Sequence, residues 1–243
     1  MFEGDLSHRA CVLLFTKPPR PGRVKTRLIG ELSAEEAAEL HAAFLGDIEE
    51  SLRRGGFGLC VAWALDAGDP LPAGPATTTS TAAATAGFRQ QGEDLGARLY
   101  NGLRRMADSY EMIAAVGSDS PELGPEIVED AFARLAAGTD VVIGPTRDGG
   151  YYLIGVRRET LRRELFDGIA WSTESVLDQT RESCRELGLA VELLPEIDDV
   201  DVGEDLRRLA RRLGAAGDPP PRTRALLAAW GRIPAAAAGR DEG

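Results

Sequence analysis

The chain reads as an α/β protein with a mainly parallel central sheet, on three observations. Short apolar runs alternate with amphipathic helical stretches along most of the sequence. The run Ile113-Ala114-Ala115-Val116 is apolar on consecutive residues, which suits a strand covered on both faces. Charged and glycine-rich segments follow the apolar runs directly, placing them at strand carboxyl ends, where open α/β sheets hold their ligands.

A length of 243 residues can bury a substantial core. One domain over residues 1–213 is expected, with a tail over 214–243 rich in Ala, Pro and Arg and carrying at most a short helix around Arg224 to Trp230. Hydrophobic content of 43% with 28% charged residues is ordinary for a globular protein. The net charge of −11 argues against a general nucleic-acid binder, so no nucleic-acid partner is expected and any anionic ligand must meet a local basic site. Cys11, Cys60 and Cys184 are odd in number and far apart, which indicates neither a disulfide framework nor a zinc site and fits a cytoplasmic location. The apolar run Ala10 to Phe15 is too short for a membrane span or signal peptide.

Cys11 to Phe15 is the first expected strand. The segment after it, Thr16 to Leu28, gathers Lys17, Arg20, Arg23, Lys25 and Arg27 around three prolines and Gly22, in a chain that is acidic overall. Prolines stiffen the loop, Gly22 permits a tight turn, and the cations concentrate positive charge at a strand end. Lys17, Arg20, Gly22, Lys25, Thr26 and Arg27 are therefore candidate phosphate-binding residues. Replacing Lys25 and Arg27 by Ala is expected to weaken nucleotide binding and leave folding nearly unchanged. The loop lacks the glycine spacing of a Walker motif.

Ser33-Ala34-Glu35-Glu36 is a capping box opening a helix through Leu40, Phe44, Ile48 and Leu52, on which His41 reads as a surface histidine. A second strand is expected over Leu59 to Leu65. Residues 66–87, rich in Gly, Pro, Ala and Thr, read as a loop with a short extended piece. Asp94 then starts a helix through Leu95, Leu99, Leu103 and Met106. Gly96 inside it costs about 1 kcal/mol relative to Ala, which implies close approach of another helix or a ligand. Gln91, Gly92, Asp94 and Arg98 are accordingly assigned to substrate contact.

The central strand Ile113 to Val116 runs into Gly117-Ser118-Asp119-Ser120-Pro121, which sets the Asp119 carboxylate beyond its end. A helix over Pro125 to Ala137 and a strand over Asp140 to Pro145 follow. Asp148-Gly149-Gly150 is turn chemistry and leads into the Tyr151-Tyr152 strand, so Asp148, Gly149, Gly150 and Tyr151 are further substrate candidates. A helix over Glu174 to Leu187 and a strand over Ala190 to Leu194 precede the acidic run Asp198-Asp199-Val200-Asp201 and a last helix from Gly203. Carboxylates converging from distant segments could bind a hard divalent cation, Mg2+ or Mn2+, that bridges to phosphates held by the basic loop.

The ordered set Lys17 to Leu28, Gln91 to Gly96, Gly117 to Pro121, Gly144 to Tyr152, Ile169 to Thr173 and Asp199 to Asp201 resembles a bacterial family of GT-A-fold glycosyltransferases, including the arsenosugar-biosynthesis type. The resemblance covers about residues 10 to 210. It implies a three-layer, Rossmann-like nucleotide-diphospho-sugar transferase fold with one strand reversed and a nucleotide across the strand ends. It also implies Asp119 and Asp201 as metal ligands facing one another, with Asp199 the rival for the second place. Trp171, Ser172 and Thr173 become substrate-binding residues, and Lys25 and Asp119 the catalytic ones. The partners implied are a nucleotide or nucleotide-sugar donor and a small-molecule acceptor.

Glycosyl transfer is the first expectation. Glycosyltransferases of this fold usually present Asp-x-Asp to the metal, yet here Asp119-Ser120-Pro121 carries no second acid. The split arrangement of Asp119, Asp201 and the Lys25/Arg27 loop looks instead like nucleotidylyltransferases, including the molybdenum-cofactor and phospholactate types, which supply the alternative reaction. A non-catalytic nucleotide-binding module is the third possibility, because fold does not dictate function.

Overall fold

The first apolar run becomes β1 (Ala10–Thr16) in the computed structural model of the protein, which describes Leu6 and residues 8–72, 86–215 and 220–233. β1 is flanked on both sides by parallel partners, β2 (Gly58–Trp63) and β4 (Met112–Val116). The complete order is β3-β2-β1-β4-β6-β5-β7, with β3 at Ala86–Arg89, β5 at Val141–Pro145, β6 at Tyr151–Arg157 and β7 at Val191–Leu193. Only β6 runs antiparallel to its neighbours among these strands. The Asp148-Gly149-Gly150 turn explains that reversal, because a short connection can close a hairpin and cannot make the long crossover that a parallel pair needs.

Consecutive apolar residues in β1 serve two cores. Ala10, Val12 and Leu14 join Ala114 and Val116 on one face. They pack under α1 (Ala34–Leu52) and α3 (Pro125–Ala136) through Leu45, Ile48, Phe132 and Leu135. Cys11 and Leu13 join Ile113, Ala115 and Ile143 on the other face, covered by Leu99 and Leu103 of α2 (Leu95–Ala107) and Cys184 of α4 (Val176–Glu186). The result is three layers, and each fully buried Leu, Ile or Phe contributes about 1.5–3 kcal/mol of transfer free energy. All three cysteines are buried and unpaired.

α1 begins as the capping box requires. The Ser33 side chain accepts from the Glu36 amide at 3.0 Å, and the Glu36 carboxylate accepts from the Ser33 amide at 2.7 Å. Its outer flank carries a third cluster, in which Leu40 and Phe44 meet Leu206, Leu209 and Leu213 of α5 (Gly203–Gly214) and Leu227 of α6 (Pro221–Ala229). The buried Asp47 carboxylate docks α6 on α1 by accepting from the Arg222 and Thr223 amides at 2.9 and 2.8 Å. Most of the loop expected over 66–87 lies outside the described residues, and its end forms β3, whose four residues are too few for a periodic signal.

Sheet order places the site. The chain moves outward from β1 through β2 and β3, then returns to add β4 on the other side. The loops after β1 and β4 therefore diverge, leaving a crevice between Lys17–Arg27 and Gly117–Pro121 at the carboxyl ends.

Candidate active site

Lys25 is the junction of that crevice. It adopts a left-handed backbone (φ 48°, ψ 37°) at the start of a short helical turn over Thr26–Leu28. For a non-glycine residue this is strain of the kind stored at functional sites. The turn sends its side chain inward, where it is 2% exposed and its ammonium sits 5.4 Å from the centre of the Phe44 ring. Nζ donates to the Val200 carbonyl at 2.7 Å, contacts the Asp119 carboxylate, and reaches Asp201 Oδ1 at 3.5 Å. Val200 N also donates to the Asp119 carbonyl at 3.0 Å, so backbone as well as side chains join the two acidic segments. Asp119 and Asp201 thus meet at one place, with the Lys25 ammonium between them.

Their protonation differs. Burial opposes ionisation of Asp119, but the Lys25 ammonium beside it holds the carboxyl below the usual carboxylate range. At Asp201 burial prevails over the attraction of Lys25 and, with the Asp119 charge, pushes the pKa up. Asp199 is pushed up to about 7 by burial and by the charges of Asp148 and Asp201. Asp148, Asp199 and Asp201 present carboxylate oxygens within 4.8 Å of one another. Asp148 is held by its own turn, accepting from Thr146 Oγ1 at 2.6 Å and from the Gly150 amide at 3.1 Å. Asp201 is held by α5, because Asp205 Oδ2 accepts from the Asp201 and Val202 amides at 2.9 and 2.8 Å. Asp205 therefore caps the helix, and Asp201 is left to face Lys25.

A pH dependence follows from these shifts. Asp199 binds its proton more tightly folded than unfolded, so its contribution to stability is present below the ordinary Asp value of about 3.9 and is lost as pH rises toward 7. Asp201 acts in the same direction, whereas the Asp119 contribution is lost only as pH falls through its depressed pKa. Without divalent cations, the thermal midpoint should decline between about pH 4 and 7, and Asp199→Asn should flatten that slope. An identical slope in the variant would show that Asp199 does not carry it.

A second group of expected residues lies on the β2 side. Lys17, Arg20, Gly92 and Arg98 line a cavity of about 410 Å³ together with Asp66 and Asp69. Arg20 is paired with Asp69 at 2.6 Å, and Arg23 approaches Asp66 at 3.8 Å. Gln90 also faces this cavity, while its amide donates to the Ala62 carbonyl at 2.7 Å. Asp94 caps α2 by accepting from the Ala97 amide at 2.8 Å, and Arg98 Nε donates to the Gly92 carbonyl at 3.1 Å. The Gln91 carbonyl accepts from Asn101 Nδ2 at 2.9 Å, so the whole Gln91 to Arg98 segment is an ordered helix entry. Gly22 supplies the loop's positive φ of 72°, and Arg27 stays 60% exposed with Nη1 3.5 Å from Asp201.

The remaining candidates pack against the chain's own core and turns. Tyr151 meets Trp171 edge to face, with ring centres 6.3 Å apart. A side chain at Gly96 would overlap the Phe166 carbonyl and the Trp171 indole, so its close neighbour is a loop of the same chain. Ser172 has a positive φ of 65°, and Thr173 Oγ1 donates to the Ala170 carbonyl at 2.7 Å. Gly149 and Gly150 complete the Asp148 turn, whose Gly149 carbonyl accepts from the Leu177 amide at 2.9 Å.

His41 departs from the surface position expected of it. It is buried, with Nε2 3.0 Å from the Lys17 carbonyl and 3.2 Å from Thr16 Oγ1. A carbonyl only accepts, so Nε2 carries the proton, and burial, partly offset by the Asp119 charge, keeps the ring neutral by lowering its pKa. His41 lies four residues after Ala37 and three before Phe44, so helical spacing does place it on the buried stripe, and its polar side chain is what suggests the surface. Asp66 and Asp69, which line the cavity beside Arg20 and Arg23, also follow an apolar run, the same signal that marks Asp119.

The layered sheet with one reversed strand, a crevice at the β1/β4 switch point and facing acidic and basic loops define a nucleotide-diphospho-sugar transferase fold. A protein from Desulfovibrio desulfuricans G20, provisionally assigned as a nucleotide-diphospho-sugar transferase, is 32% identical, over 94% of this chain and 97% of its own, with a TM-score of 0.81. Residues 53–173 match the family described as "Uncharacterized protein conserved in bacteria (DUF2064)". The chain belongs to this bacterial family. A cytidylyltransferase from Leptospira borgpetersenii serovar Hardjo-bovis (strain JB197) shares the fold at 12% identity, over 93% of this chain and 96% of its own, with a TM-score of 0.55. The CMP:2-keto-3-deoxy-manno-octonic acid synthetase complexed with CTP does so at 13% identity, over 91% and 99%, with a TM-score of 0.54. No curated protein matches the chain. Among the described residues, no helix is long and apolar enough to cross a membrane.

Proposed function

We propose that the protein is a metal-dependent transferase acting on a nucleotide, with glycosyl transfer from a nucleotide-diphospho-sugar as its reaction. The observation that carries this reading is the meeting of a cationic loop, through Lys25 and Arg27, with a group of carboxylates in which Asp148, Asp199 and Asp201 lie within 4.8 Å of one another. Carboxylates this close repel one another and would repel a diphosphate more, unless a cation stands among them. The donor set is oxygen only and fits a hard divalent ion, Mg2+ or Mn2+, held by Asp148, Asp199 and Asp201 with Asp119 beyond Lys25. When bound, the ion neutralises phosphate charge.

The chain's own residues do the rest by position and charge. Lys17, Arg20, Arg23 and Arg27 bind phosphate oxygens, with the Arg20 and Arg23 ion pairs exchanged for ligand contacts. Lys25 keeps Asp119 ionised and fixes Asp201. The 410 Å³ cavity takes the nucleotide's far end.

Nucleotidylyl transfer is the second reading, favoured by the absence of an Asp-x-Asp pair at Asp119-Ser120-Pro121 and by the split Asp119/Asp201 arrangement around Lys25. A thermal-shift screen of nucleotide sugars and nucleoside triphosphates, with and without Mn2+, tests both. A ligand at 100 times its dissociation constant adds about 2.7 kcal/mol, well within detection. Mn2+-dependent stabilisation by a nucleotide sugar, with release of a nucleoside diphosphate, supports glycosyl transfer. Stabilisation by a triphosphate with release of pyrophosphate moves the assignment to nucleotidylyl transfer, and no metal-dependent stabilisation by either class overturns both.

A further inference from the structure

Two of the segments that carry the site's carboxylates, those of Asp119 and Asp201, are tied together by one further side chain. Arg212 lies on α5, the helix that opens two residues after Asp201. Its Nε donates to Glu122 Oε2 at 2.9 Å, and its Nη1 donates to Asp198 Oδ2 at 2.7 Å. Glu122 follows Asp119 by three residues, and Asp198 precedes Asp201 by three. A planar guanidinium holding two carboxylates through different nitrogens fixes their spacing in a way an ammonium cannot. The same two segments are joined again by the Val200 amide, which donates to the Asp119 carbonyl.

We propose that Arg212 is a positioning residue, which anchors the Asp198 to Asp201 segment against the Asp119 segment and thereby fixes where the Asp199 and Asp201 carboxylates are offered to a divalent cation. Asp198 keeps Arg208 and Arg147 near it at 3.8 and 3.5 Å. Glu122 has only Arg212 among the described salt bridges. Loss of Arg212 therefore releases the Asp119 side chiefly, while the Asp198 side stays paired.

The inference about cation spacing rests on the metal-dependent reading above, but the coupling of the two segments can be measured without any ligand. Hydrogen exchange at the Val200 amide in cation-free protein reports it directly. Arg212→Met should accelerate that exchange at least tenfold, leave the β1 and β4 amides unchanged, and weaken Mn2+ binding, followed by electron paramagnetic resonance, by roughly 10-fold, as supporting residues of metal sites typically do. Arg212→Lys should recover part of both. Glu122→Gln, which retains an acceptor and does not threaten folding, should give a smaller acceleration in the same place and serves if Arg212→Met does not fold. Val200 exchange equal to wild type in the folded variants would overturn the proposal, as would acceleration spread evenly through β1 and β4. A wild-type protein that binds no Mn2+ would sink the metal-dependent reading, with Val200 exchange still deciding the role of Arg212 as the tie between the segments.

Discussion

Lys25→Met should lower the unfolding free energy by roughly 2–3 kcal/mol. Removing one member of a buried ion pair costs about 3–5 kcal/mol, and the lower figure reflects the partial exposure of the partners. The Lys25 side chain is 2% exposed, against 47% for Asp119 and 35% for Asp201. In the variant the Val200 carbonyl loses its donor, and the Asp119 and Asp201 carboxylates face each other without a cation between them. This revises the expectation that replacing Lys25 and Arg27 together would leave folding nearly unchanged. Arg27→Ala alone should still do so, shifting stability by no more than about 0.5 kcal/mol, because its side chain is 60% exposed and its pairing with Asp201 is long. Urea denaturation of the two single variants separates the roles. A Lys25→Met protein as stable as wild type would mean that the junction contributes nothing net.

Gly149→Ala should destabilise by about 3 kcal/mol or prevent folding, through two effects that add. The residue has φ +85°, which costs an L-residue roughly 1–2 kcal/mol, and a Cβ there would overlap the Glu174 backbone, which adds about 1–3 kcal/mol of overpacking. Gly22→Ala separates the two effects. Its φ of +72° is similar, but a Cβ would have nothing within 4 Å, so only the backbone cost should appear. Equal midpoint shifts in the two variants would show that the Glu174 contact yields without cost. Loss of activity in Gly149→Ala therefore cannot by itself place Gly149 against a substrate, because the turn must first close on the chain's own backbone.

The elements with strong local signals were legible in the sequence. β1 and β4 announced themselves by consecutive apolar residues, and α1 by its capping box and the spacing of Leu40, Phe44, Ile48 and Leu52. β3 was less legible, since Ala86–Arg89 is short and includes a glycine. His41 shares the buried face with Ala37, Phe44 and Ile48 by spacing, but the sequence does not show the partner that makes burying an imidazole tolerable, the Lys17 carbonyl.

By itself, the sequence determined the alternation of strands and helices and which loops would sit at strand ends. It also determined the charge those loops would carry, because periodicity, turn chemistry and composition act over a few residues. Tertiary structure alone decided that the Lys25 ammonium turns inward between Asp119 and Asp201, that Asp148 joins Asp199 and Asp201, and that Arg212 spans Glu122 and Asp198. Those contacts join residues far apart in the chain, and a charged side chain carries no local mark of the partner it will meet. The partner is chosen when sheet order brings the loop ends together and burial makes any charge left unpaired too costly to keep.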